Sequence, residues 1–156
     1  MAVRSKFETS KDRWLEEIVA LALSDAWTVE MKKLPMHQRM DFAMVRPDNS
    51  IGALCEIKVR NFTWGDYPDV MLSASKVKYA KEMMAAFSLK TIFVVMDKTG
   101  DIRYLPMDNM EYPLAYGGRT ATPRDDQDSE LVLHVPNDDF VQLTSVDVNI
   151  KMAGEM

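Results

Sequence analysis

A chain of 156 residues, 47% hydrophobic and 28% charged, has the size and mix of one globular domain with a real core. Its 19 basic and 24 acidic residues leave a net charge of −5, which argues against a general nucleic-acid coat but not against an enzyme whose acids serve as ligands. One cysteine excludes an internal disulfide framework and a Cys-rich zinc site, and no apolar run has transmembrane length, so a cytoplasmic protein with no membrane contact is expected.

Residues 1–9 are polar and read as a mobile or loosely docked arm. Ser10 can cap a helix predicted over 11–25, where Trp14, Leu15, Ile18, Val19 and Ala22 recur at helical spacing. On that wheel Glu17 borders the apolar stripe between Trp14 and Leu21, and Glu16 falls on the more exposed side. Residues 27–31 read as a first strand, ended by Lys32, Lys33 and Pro35, and His37 in the next loop reads as an ordinary surface residue. Two apolar-rich runs, about 40–46 and 51–60, flank Pro47-Asp48-Asn49-Ser50, a strong turn signal.

A loop of two or four residues in that hairpin puts Asp41 opposite Glu56, and strand alternation puts Lys58 on the face of Glu56. An odd-numbered loop shifts the pairing by one and breaks the arrangement. The other face then carries Phe42, Met44, Ile51, Ala53, Cys55, Ile57 and Val59, a core face that makes Cys55 a buried, inert thiol. Two carboxylates on one surface repel each other unless a cation sits between them. Oxygen donors suit a hard divalent ion such as Mg²⁺ or Mn²⁺. A lysine beside the ion can orient or deprotonate a water, or neutralise charge on a phosphate, which outlines a phosphodiester-hydrolysis site.

The segment 60–69 mixes Phe62, Trp64 and Tyr67 with turn formers; these aromatics either stack on bases or cap the core. A second helix is predicted over 73–87, with Val77, Ala80, Met84 and Phe87 on one side and Lys76, Lys78 and Lys81 near its start. The lysines form either a solvated face or, at the helix start, a phosphate contact. Residues 90–96 form a nearly continuous apolar strand, 97–101 a turn and 102–106 a returning strand. A long surface loop spans about 114–130 and contains Arg119 and Arg124; a last strand covers 131–135, and a short helical turn begins within 138–143. A meander followed by a crossover helix and another strand gives an α/β fold, a central mixed sheet flanked by helices.

With Asp41 on one strand, Glu56-Ile57-Lys58 on the next, a glutamate-bearing helix before them and a helix and apolar strand after them, the chain resembles the PD-(D/E)xK nuclease superfamily. The likeness spans about residues 10–106, and phage-encoded and Holliday-junction-resolvase-like members are nearest in size. Met40 stands where that family usually has proline. The resemblance implies a restriction-endonuclease-like fold and a Mg²⁺- or Mn²⁺-dependent nuclease acting on duplex or branched DNA, in the cytoplasm of an infected host if phage-encoded. Asp41, Glu56 and the Ile57 backbone carbonyl would hold the metal, and Lys58 would position water. Glu16 or Glu17 would complete the site, and both stay open. Lys76 and Arg60 would contact nucleic acid. A homodimer is the simplest way to cut two strands. The alternatives are a non-catalytic binding or assembly subunit on the same fold, and a surface salt-bridge cluster on an unrelated domain.

Overall fold

The computed structural model describes residues 10–35, 38–106, 112, 114–118 and 129–147. The expectations for residues 1–9, His37, Arg119, Arg124 and the tail after 147 lie outside the described residues. Helix α1 spans Ser10–Trp27 and buries Ile18, Val19, Ala20 and Leu23. It runs past the predicted end because Trp27, while still helical, packs edge-on against Tyr104 at 5.1 Å. Thr28, at φ 52°, then turns the chain out in a left-handed conformation. The first strand, β1 (Glu30–Lys33), therefore starts later than the predicted 27–31.

The hairpin strands are β2 (Phe42–Val45) and β3 (Ile51–Val59). Phe42 pairs with Cys55, Ala43 with Leu54 and Met44 with Ala53, the expected register, and Asp41 lies just before the first pair with its N–H on the Cys55 carbonyl. The turn reaches that register by another route than the even loop. Arg46 N–H donates to the Ser50 carbonyl and Asn49 N–H to the Arg46 carbonyl, both at 2.9 Å, so the loop is the three residues Pro47, Asp48 and Asn49. Asn49 takes the left-handed conformation that this loop requires, φ 71°. A bulge between Met44 and Val45, with Gly52 as the extra residue on β3, undoes the one-residue slip. Ile51 lies beyond the bulge and is 49% exposed, not in the core as the alternation predicts.

From β3 the chain passes through β4 (Asp69–Ser73) and α2 (Ala74–Phe87) to β5 (Lys90–Met96), which lies parallel to β3. Antiparallel β6 (Asp101–Pro106) follows. The remaining strands are β7 (Leu114–Gly118), β8 (Ser129–Pro136) and, after a 3-10 turn at Asn137–Asp139, β9 (Val141–Ser145). The main sheet has the order β1-β2-β3-β5-β6-β9, and a smaller one the order β4-β8-β7. The α/β mixed sheet flanked by helices is the one expected. The second sheet was not expected: β7 occupies the start of the predicted long loop, and β9 replaces most of the predicted helical turn.

Both faces of the main sheet are buried. Against α1 lie Phe42, Met44, Ala53, Cys55, Ile57 and Val94. Against the other face lie Val77 and Ala80 of α2 and Val70, Leu72, Leu133 and Val135 of the small sheet, over Ala43, Leu54, Phe93 and Val95. Asp41, Glu56 and Lys58 thus emerge from a second core, not from a solvated surface. Phe87, predicted on the apolar side of α2, is exposed at its end. Phe62 and Trp64 cap the core: their rings meet at 5.5 Å, Trp64 lies 5.4 Å from Phe140, and its indole N–H donates to the Asp101 carbonyl. Among the described residues no helix is long and apolar enough to cross a membrane.

Candidate active site

Asp41 sits immediately before β2, and its backbone is held from both sides. Its N–H donates to the Cys55 carbonyl (3.1 Å), and its carbonyl accepts the Leu34 N–H (2.8 Å). Its side-chain Oδ2 accepts the Ile57 N–H at 2.8 Å. A strand residue directs its N–H and C=O to the same neighbour, so the Ile57 carbonyl is directed to the Asp41 side as well.

Glu56 is 1% exposed. Its Oε2 lies 3.2 Å from Lys58 Nζ and its Oε1 3.5 Å from Lys76 Nζ. Burial raises its carboxyl above the ordinary carboxylate value; Lys58 opposes this, Asp41 adds to it, and Lys76 opposes it. Glu56 Oε1 is buried and accepts no hydrogen bond, so the two lysines answer its charge without saturating its lone pairs. Their side chains remain 37% (Lys58) and 27% (Lys76) exposed, so both ammonium groups border solvent. Lys76, in the first turn of α2, also donates to the carbonyl of Arg39, in the loop leading to Asp41. One ammonium group therefore ties α2 to both limbs of the hairpin.

Other named residues divide. Glu16 is half-buried and ion-paired with Lys33 of β1, whereas Glu17 is exposed, the reverse of the helical-wheel reading. The wheel centred the stripe near Trp14 and Leu21, but α1 packs through Ile18, Val19 and Leu23, and Leu21 is 69% exposed. Glu16, Asp41 and Glu56 all act on Cys55, whose thiol is pushed up first by burial and then by these three carboxylates. The Arg60 guanidinium donates to the Met71 carbonyl at 3.4 Å and so braces β4 beside the end of β3. Lys33, which also lies 5.1 Å from the Phe42 ring centre, was given no site role from the sequence. Only the fold brings it to Glu16, and no local signal marks it.

Among the described residues no group of three or more His, Cys, Asp or Glu side chains is placed to hold a metal ion. Asp41 accepts the Ile57 N–H and its charge acts on the Glu56 carboxyl, so these two carboxylates and the Ile57 backbone are neighbours. Mg²⁺ is commonly bound through one or two carboxylates, with water and substrate phosphate filling its other positions. An all-oxygen set that includes a buried carboxylate oxygen without a hydrogen bond fits such an ion.

A family model described as "Phage putative PDDEXK endonuclease" matches residues 2–143. No curated protein matches the chain. Among solved structures the chain is similar to Hjc, a Holliday junction resolvase from the archaeal hyperthermophile Archaeoglobus fulgidus. The identity is 14%, with 62% of this chain and 79% of that chain covered and a TM-score of 0.47. Matched by the family model over most of its length, the chain belongs to the phage putative PDDEXK endonuclease family.

Proposed function

We propose that the protein is a divalent-metal-dependent nuclease that hydrolyses phosphodiester bonds of DNA. The observation that carries this reading is Glu56, a buried carboxylate set between Asp41 and two lysines with one oxygen accepting no hydrogen bond. Asp41, Glu56 and the Ile57 carbonyl would hold Mg²⁺ or Mn²⁺. When bound, the ion supplies Lewis-acid stabilisation of the charge that develops on the phosphate. Lys58 keeps its ammonium group 3.2 Å from Glu56 and orients the attacking water. Lys76 offers a second positive charge to the phosphate, and Arg60 contacts the nucleic acid beyond the end of β3. Glu16, rather than Glu17, is the α1 carboxylate available to the site. The protein acts in the cytoplasm of an infected host, as a homodimer where both strands of a duplex or branched DNA are cut.

The test is cleavage of duplex, single-stranded and branched DNA with and without Mg²⁺ or Mn²⁺. Asp41→Ala and Lys58→Ala should each lower the rate at least ~100-fold, the scale of losing one electrostatic contact to a transition state. Full activity in either folded variant overturns the assignment. The net charge of −5 is compatible with a second reading, a non-catalytic subunit on this fold. Calorimetry that finds no divalent-ion binding, together with no cleavage by the wild type, would select it.

A further inference from the structure

We propose that Arg39 contacts the backbone phosphate of the bound DNA strand and that Tyr79 holds it in place for that purpose. The inference rests on the nuclease reading above. Arg39 is two residues before Asp41, and its carbonyl accepts a hydrogen bond from Lys76, the lysine nearest Glu56 Oε1. Its guanidinium carbon lies 5.5 Å from the centre of the Tyr79 ring. Tyr79 follows Lys76 by three positions, so the two share one side of α2, a turn apart. The Lys76 ammonium meets the Arg39 carbonyl while the Arg39 guanidinium lies over Tyr79, so two cations flank the loop that leads to Asp41.

The surroundings of the arginine agree. Arg39 is exposed, and among the described residues no carboxylate pairs with its guanidinium. In a chain with 24 acidic residues, a cation beside the site that is held by an aromatic ring and not by an acid keeps its charge for a ligand. A contact with an aromatic ring takes up none of the N–H donors that a guanidinium offers to a carboxylate or phosphate. The ring also limits the rotamer freedom that an exposed arginine loses on binding.

The experiment uses the full chain carrying Asp41→Ala, so that the probe is not cut, and a fluorescein-labelled DNA duplex read by anisotropy across a salt series. Arg39→Gln should weaken binding about fivefold to tenfold and reduce the slope of log K against log salt by ~0.9, the release of one phosphate counterion. Arg39→Lys should restore the slope but only part of the affinity. In the cleaving protein Arg39→Gln should raise KM and leave kcat nearly unchanged. Unchanged affinity and slope in a folded Arg39→Gln protein, with wild-type binding and cleavage intact, overturn this inference alone. A wild type that neither binds nor cuts DNA overturns the nuclease reading and this inference with it.

Discussion

Replacing Glu56 by Gln should leave the metal-free protein as stable or more stable near neutral pH while removing its activity. The Glu56 carboxyl is 1% exposed, and burial sets it above the ordinary carboxylate value despite Lys58 and Lys76. Its charged form is therefore held at a net cost in the fold. The variant leaves two lysines without this partner, but both already border solvent, where losing an ion pair costs only ~0–1 kcal/mol. Removing the buried charge offsets that, and each kcal/mol gained should raise Tm by ~2–4 °C in a chain of this size. The sign follows from the raised value: the stability Glu56 contributes is present below the ordinary carboxylate value and is lost as pH rises through the raised one. The gain from Gln should therefore be near zero in acid and grow towards pH 8. The assay is thermal unfolding followed by circular dichroism from pH 4 to 8 in chelator. Added Mg²⁺ or Mn²⁺ should then stabilise the wild type, by ~2.7 kcal/mol at a hundredfold excess over Kd, but not the variant. A variant clearly less stable than wild type at pH 8, and equally so at pH 4, would make Glu56 a structural ion pair and refute the argument.

Further outcomes follow from the same packing. Burial raises the Asp97 carboxyl, but hydrogen bonds from the Thr99 hydroxyl and from the N–H groups of Trp64, Asp101 and Thr99 outweigh it and hold the group below its ordinary value. Asp97→Asn should cost ~1.5–3 kcal/mol in urea unfolding at pH 7. The wild-type advantage should fade as pH drops through the lowered value, and a cost independent of pH would refute the charge argument. Gly100, at φ 94°, would place an added Cβ 1.9 Å from the Val146 carbonyl oxygen, so Gly100→Ala should destabilise by more than ~2 kcal/mol by displacing the end of β9. Glu16→Ala should lower cleavage more than tenfold while costing at most ~1 kcal/mol of stability, as for a partly exposed ion pair. Glu17→Ala should change neither, and a loss of activity confined to Glu17→Ala would reverse the assignment.

The hairpin was legible because both of its signals are local. Alternating apolar residues mark the faces of β2 and β3, and Pro47 to Ser50 marks the turn. Even so, the register came out correct through a turn different from the one inferred, since an odd loop and a bulge at Gly52 cancel. Helix α2 and strand β5 were legible for the same reason, from the spacing of Val77 and Ala80 and from the apolar run to Met96. The strands β4, β7 and β9 were not. Leu-Ala-Tyr-Gly-Gly has weak strand character by itself and becomes β7 only by pairing with β8.

The sequence alone determined that Glu56 and Lys58 share a face of β3, because a strand repeats every two residues where no bulge intervenes. Tertiary structure decided the rest. The roll of α1 on the sheet turned Glu16 inward and left Glu17 in solvent. The crossover laid α2 over Glu56, brought Lys76 against its carboxylate and buried a charge that the hairpin alone would leave in water. These outcomes depend on contacts between residues far apart in the chain, and no local period encodes which of two neighbouring glutamates a packed helix will hide.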